Sequence, residues 1–221
     1  GAMLLGIGKG TKLLTKYLES EKRYRASILI GASSESGDLE LPITLSENTF
    51  THTPEKLTSI FEELSKGFTQ ELPALNAAKQ NGKSAYSLVR EGKPTEKRFI
   101  ETRLLEWKIL NEELLRSAEL QQLLELKATN ISNALEKFSL IGEQIGYHSR
   151  KYLFMKEKWL GSLASSIETV VSAKDRSYLL LDCEVLVPKG TYIRSLAQDI
   201  ASRMGSIGIL AGLERMNAGN R

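Results

Sequence analysis

The stretch Thr191-Tyr192-Ile193-Arg194 puts an arginine and a tyrosine where a protein can aim them. Ahead of it runs an apolar segment, Tyr178 to Val187, whose texture predicts a buried strand. Behind it Ile193, Leu196, Ala197, Ile200, Ala201 and Met204 share one helical face, with Thr191 as the predicted N-cap and Gly205 as the predicted end. Tyr192 and Arg194 therefore leave a sheet at a strand-to-helix junction, a rigid place from which to reach into a cleft. The positive end of a helix disfavours a cation. An arginine there implies a nearby carboxylate or phosphate, the plain alternative being a solvated first-turn side chain.

A second set is basic: Lys9, Lys12, Lys16, Lys22, Arg23 and Arg25 crowd the first 25 residues. They fit a phosphate-facing surface or a solvated helix face. The net charge of +3 allows a polyanionic partner without requiring one. A metal reading fails, because two histidines, His52 and His148, and a lone cysteine stand too far apart to form a ligand set. Gly6-Ile7-Gly8-Lys9-Gly10 lacks the spacing of a phosphate loop. The single Cys183 excludes an intrachain disulfide and, on an apolar strand, reads as a small buried hydrophobe. No apolar run nears the roughly 20 residues that span a bilayer, and no leader is visible, which predicts an intracellular protein.

The elements that must carry these residues follow from pattern. Residues 11–19 predict a helix with Leu13, Leu14, Tyr17 and Leu18 inward, preceded by a strand from Leu4 to Ile7. Residues 22–31 alternate as a strand, and Ser33 to Gly37 form a loop presenting Asp38. Thr53-Pro54 opens a helix with Leu57, Ile60, Phe61 and Leu64 inward and Gly67 at its end. A helix at Ser84–Arg90 and a strand near Arg98–Leu110 come next. From about 111 to 177 the texture turns helical and charged: Leu114, Leu115, Ala118, Leu120, Leu123 and Leu124 suggest one helix, and Ile131, Leu135 and Phe138 another. Here His148, Arg150, Lys151, Lys156 and Lys158 alternate with Tyr147, Tyr152, Phe154 and Trp159, a mixture that suits RNA or the basic rim of an amphipathic helix.

Lys189-Gly190-Thr191-Tyr192-Ile193-Arg194-Ser195-Leu196 resembles the arginine motif of the TruB family, the stand-alone tRNA pseudouridine-55 synthases. Further stretches resemble the same family in the same order. Gly1 to Lys12 is similar to the segment after its catalytic Gly-Thr-Leu-Asp-Pro loop, and Lys22-Arg23-Tyr24-Arg25 to its Lys-x-Tyr motif. Gly37-Asp38 matches a family aspartate. Asn76 to Lys83, with Tyr86 and Arg90-Glu91-Gly92-Lys93-Pro94, resembles a substrate-side stretch, although Leu72-Pro73 and Leu75-Asn76 depart from it. Leu210 to Arg215 resembles the closing Leu-x-x-Leu-x-Arg motif. The helical insert and the Arg90–Pro94 string are similar to fungal members.

The resemblance implies an α+β fold on a mixed, mainly antiparallel sheet of the pseudouridine synthase type. It implies one catalytic core over residues 1–221 with the insert at about 111–177 and no PUA domain. Arg194 would hold a catalytic aspartate ionised, and Tyr24 would stack on the flipped uracil. Tyr192, Leu213, Asp38, Lys22 and Lys189 would meet the substrate, while Lys9, Lys12, Arg23, Arg25, Lys79 and Lys83 would meet RNA phosphates. The partner would be the T-arm of tRNA, bound by a monomer without cofactor, metal or membrane. The motif carrying the catalytic aspartate is not found between Gly1 and Arg221. The expectation is a shortened synthase, inactive as given, with a catalytically dead RNA-binding or tRNA-folding protein as the rival reading.

Overall fold

The computed structural model describes residues 5–14, 19–47, 50–73, 79–80, 83–84, 96–144 and 150–216. In chain order its elements are a 3-10 helix (Gly8–Leu13), strands β1 (Lys22–Ile30), β2 (Ala32–Ser33) and β3 (Thr44–Leu45), and helix α1 (Pro54–Lys66). Strands β4 (Phe68–Glu71), β5 (Lys79–Gln80), β6 (Lys83–Ser84), β7 (Phe99–Thr102) and β8 (Glu106–Arg116) follow. Helices α2 (Ser117–Gln144) and α3 (Arg150–Ser172) lead to β9 (Ser177–Val187), α4 (Ile193–Arg203) and β10 (Gly208–Arg215). The main sheet has the order β10-β1-β9-β8 with every neighbour antiparallel, and the short strands pair two by two. This is the expected α+β architecture.

Alternation along β1 divides the core. Ala26, Ile28 and Ile30 face one side, where α1 and α4 pack, and Leu29 faces the other, where α2 and α3 pack. Helix α1 forms for the predicted reasons. Thr53 Oγ1 accepts the Lys56 N–H at 3.2 Å, Pro54 opens the first turn, and Leu57, Ile60, Phe61 and Leu64 are buried. Against the far side, α3 lays Leu163 and Val170 into the second cluster, and Ser166 Oγ accepts the Ile43 N–H at 3.2 Å. The insert is thus bolted to the core.

Several expectations fail for local reasons. Of the helix predicted over residues 11–19, Thr11–Leu13 belong instead to the 3-10 turn Gly8–Leu13, which has no buried residue and leaves Leu13 59% exposed, while residues 15–18 lie outside the described residues. Thr11 Oγ1 donates to the Gly8 carbonyl at 2.8 Å, which favours the tighter turn. Residues 5–7 form no strand, and Tyr17 and Leu18 lie outside the described residues. The strand near 98–110 is broken in two, because β7 pairs with β4 while β8 pairs with β9. Strand β8 then runs on to Arg116, so Leu114 and Leu115 belong to the sheet: Leu115 points inward and Leu114 outward. Pairing with β9 overrides their helical propensity. The two helices expected between 114 and 138 are the single helix α2 beginning at Ser117. Of the helix expected at Ser84–Arg90, Ser84 ends β6 and residues 85–90 fall outside the described residues, as do Tyr147 and His148.

Candidate active site

The N-terminus of α4 is capped from another strand. Tyr192, at the N-cap position, makes no side-chain capping bond of its own. Instead Gln70 Oε1, fully buried on β4, accepts the Tyr192 N–H at 2.8 Å, while its amide donates to Asp199 Oδ2 at 3.3 Å. Thr191, the predicted cap, hydrogen-bonds the Thr102 hydroxyl at 2.5 Å. The hydroxyl that should have closed the helix is used to tie it to β7. Burial pushes the Asp199 carboxyl above its ordinary value, and the Gln70 amide and Arg203 partly offset that.

Arg194 therefore projects from a fixed first turn. Its Nη1 donates to the Ser36 carbonyl at 2.9 Å and reaches Asp38 Oδ2 at 3.5 Å, with about a quarter of the side chain exposed. The carboxylate that an arginine at this helix end implied is Asp38. Its loop is held from several directions: the Ser34 and Ser36 hydroxyls donate to the Asp38 carbonyl, and Asp38 Oδ1 accepts the Glu40 N–H at 3.0 Å. The Leu210 N–H donates to the Gly37 carbonyl at 3.0 Å, which stitches the loop to β10. Gly37 adopts φ +74°, and a Cβ there would sit 3.3 Å from the Gln198 amide nitrogen and 3.6 Å from Arg194 Cβ. Only glycine lets the loop lie this close to α4 in that conformation.

Between the loop, α4 and β10 opens a cavity of about 300 Å³. Asp38, Glu40 and Arg194 form its polar side, and Leu39, Leu210, Leu213, Ile131 and Trp159 its apolar side. Burial raises the Glu40 carboxyl above its usual range, helped by the neighbouring Asp38 charge and opposed by Arg194 and Lys158. Leu213 is half exposed and pairs with Ala26 across β1 and β10, so it shares the sheet face of Tyr24 and α4. Tyr24 itself packs at the rim of the first core cluster, paired with Val185 and Arg215. Leu213 thus joins Arg194 to Tyr24, but neither Tyr24 nor Tyr192 lines the cavity.

The predicted cations separate. Lys22 shares the face of Tyr24 and donates to the Ser20 carbonyl at 2.5 Å; burial lowers its pKa, and the positive charges of Arg215 and Lys189 add to the effect. Lys189 pairs with Glu19 at the surface. Arg23 and Arg25 leave the opposite face, where Arg23 pairs with Glu106 and Arg25 Nη2 meets Glu184 at 2.7 Å. Lys9 and Lys12 are exposed on the 3-10 helix, and the side chains of Lys79 and Lys83 lie outside the described residues. Cys183 is fully buried and its thiol is pushed up to about 12, which leaves it unreactive.

Sequence reasoning missed Gln70, Glu40 and Ile131, and it valued Trp159 only for its basic neighbours. Gln70 left one trace, a polar residue two places after Phe68 on an inward-facing strand position. The other three become visible only when α2 and α3 fold back over the sheet.

Residues 1–139 match the family described as TruB family pseudouridylate synthase (N terminal domain). Over an alignment of 231 positions the chain is 30% identical to tRNA pseudouridine synthase 4 of Saccharomyces cerevisiae, covering 98% of this chain and 57% of that protein. It is 40% identical over 98 residues to tRNA pseudouridine synthase B of Leptospira interrogans, covering 42% of this chain and 32% of the relative. With tRNA pseudouridine synthase B of Corynebacterium efficiens it shares 22% over 219 residues, covering 99% and 54%. The chain spans little more than half the length of these relatives at most.

Proposed function

The chain belongs to the TruB family of pseudouridylate synthases, and from that premise we propose that it is the core of an intracellular, monomeric enzyme that isomerises uridine-55 in the T-loop of tRNA. The reaction breaks the N1–C1′ bond, turns the uracil, and forms a C5–C1′ bond, while C5 loses a proton and N1 gains one. Atoms and electrons balance within the substrate, so no oxidant, reductant or co-substrate is consumed.

One observation carries the reading: Arg194 is locked by Ser36 and Asp38 at a cavity along the edge strand β10, whose Leu213 shares the strand face of Tyr24. A guanidinium in this setting favours an ionised carboxylate beside it and fixes its orientation. The nucleophilic aspartate of the family would meet Arg194 there. Tyr24 offers a ring to an extruded base, and extrusion from a folded loop costs about a few kcal/mol. Lys22, with Arg215 and Lys189 close by, supplies positive potential for backbone phosphates on the same face.

The rival reading, an RNA-binding protein without turnover, is favoured by the Asp38 carboxylate that Arg194 already holds. Fluorescence anisotropy with a T-arm hairpin separates both from an unrelated function. The expected result is binding that prefers the T-arm to an unrelated hairpin and weakens steeply as salt rises. Equal binding to both hairpins, or no salt dependence, overturns the RNA reading. Single-turnover assay of a longer version carrying the aspartate motif then decides between enzyme and binder.

A further inference from the structure

Helices α2 and α3 stand far from the arginine motif in sequence, yet they complete its cavity. Resting on the RNA reading above, we propose that Trp159 is a substrate-positioning residue, stacking its indole on an unpaired nucleotide that enters the Arg194 cavity. The stripe Trp159, Leu163, Ser166, Ile167 and Val170 forms the docked face of α3. Leu163 and Val170 are buried, and Ser166 binds the loop before β3, so the helix is rigidly seated. Trp159 lies one turn ahead of Leu163, where the same stripe passes beyond the core and overhangs the cavity instead. It is only partly buried there, and it faces a polar wall of Arg194, Asp38 and Glu40.

That combination selects the occupant. A nucleobase is flat and apolar on its faces, with donors and acceptors around its edge. It needs an aromatic or apolar plate on one side and fixed polar groups at its rim. Trp159 and Ile131 supply the plate, and Arg194, Asp38 and Glu40 supply the rim. A purely aliphatic guest would cover the polar rim of Arg194, Asp38 and Glu40 and displace its water without offering hydrogen-bonding groups in return. A free phosphate would meet two carboxylates beside the one arginine. The cavity, about 300 Å³, lies at the lower end of the range for small-molecule sites and suits one base better than a larger group.

The test uses the full 221-residue chain, a T-arm hairpin, and the same hairpin with abasic loop positions. Stacking is worth about 1–3 kcal/mol per base, so Trp159→Ala should weaken hairpin binding by roughly tenfold while the slope of affinity against salt stays unchanged. Trp159→Phe should retain most of the affinity. The abasic hairpin should bind wild type and Trp159→Ala equally weakly. Hairpin binding should also quench indole emission in the wild type but not in Trp159→Phe, since Trp107 does not line the cavity and packs on Phe61 with ring centroids 5.2 Å apart. If the wild type binds and responds to Arg194→Ala and Lys22→Ala, but Trp159→Ala matches it, this inference falls and the RNA reading stands. If the wild type shows no preference for the hairpin, both fall.

Discussion

On one side of β1, Lys22 and Tyr24 run toward α4, Leu213 and the Arg194 cavity; on the other, Arg23 and Arg25 run into Glu106 and Glu184. These four residues are consecutive, and three of them are cations of similar reach. On the first face, burial lowers the Lys22 pKa, the charges of Arg215 and Lys189 add to that and Glu19 opposes it, so cations crowd this side even with Glu19 paired to Lys189. On the second, Glu184 raises the Arg25 pKa and Arg25 lowers that of Glu184, so opposite charges have been matched. A side on which cations crowd suits a polyanion better than one on which each arginine meets a carboxylate. The difference teaches that a basic run on a strand is two surfaces, and only one of them need be functional.

The largest effect should come from the functional face. In a version long enough to carry the family's aspartate motif, Arg194→Ala should slow single turnover by about 100-fold or more, the size lost when one fixed electrostatic partner is removed. Arg25→Ala in the same background should stay within about twofold. A large loss in Arg25→Ala would erase the distinction between the faces.

Next is the support beneath Arg194. Gln70→Leu keeps the bulk of a buried side chain but leaves the Tyr192 N–H and Asp199 without the partner they now have. The expected cost is about 1–3 kcal/mol in chemical denaturation, the range for an unsatisfied buried polar group. Unchanged stability would show that α4 is not held by this clamp.

A smaller contrast concerns phosphate contacts. Lys22→Ala should weaken T-arm binding severalfold and reduce the slope of log affinity against log salt by about 0.9 if one duplex phosphate is lost. Arg25→Ala should leave the slope alone, because exposed ion pairs with carboxylates contribute little. Identical slopes for both variants would break the comparison.

The smallest effect is a matter of pH. The folded Glu40 carboxyl titrates above its unfolded value, chiefly through burial, so the folded state binds the proton more tightly. Its contribution is fully present below about pH 4.5 and is lost as pH rises through the raised value. Glu40→Gln should therefore gain roughly a few tenths of a kcal/mol near neutrality, discounted because the group is partly solvated, and nothing in acid. Denaturation midpoints at acid and neutral pH check it. A loss of stability at neutral pH would mean that Glu40 serves an attractive contact.

What this chain's residues decided alone was local. The period-2 alternation of β1, the Thr53-Pro54 opening of α1 and the apolar stripe of α4 needed only neighbours a few positions away, so each was legible before folding. The same locality made Arg194 legible as a residue in want of a carboxylate. What only the tertiary structure decided were the partners. Leu114 and Leu115 became strand because β9 lay beside them, and Thr191 lost its capping role because Thr102 and Gln70 arrived from elsewhere in the chain. Trp159 reached the arginine cavity because a helical insert folded back over an edge strand. Periodicity is written into a sequence by nearest neighbours, whereas a buried polar group takes whichever partner packing brings within hydrogen-bond reach.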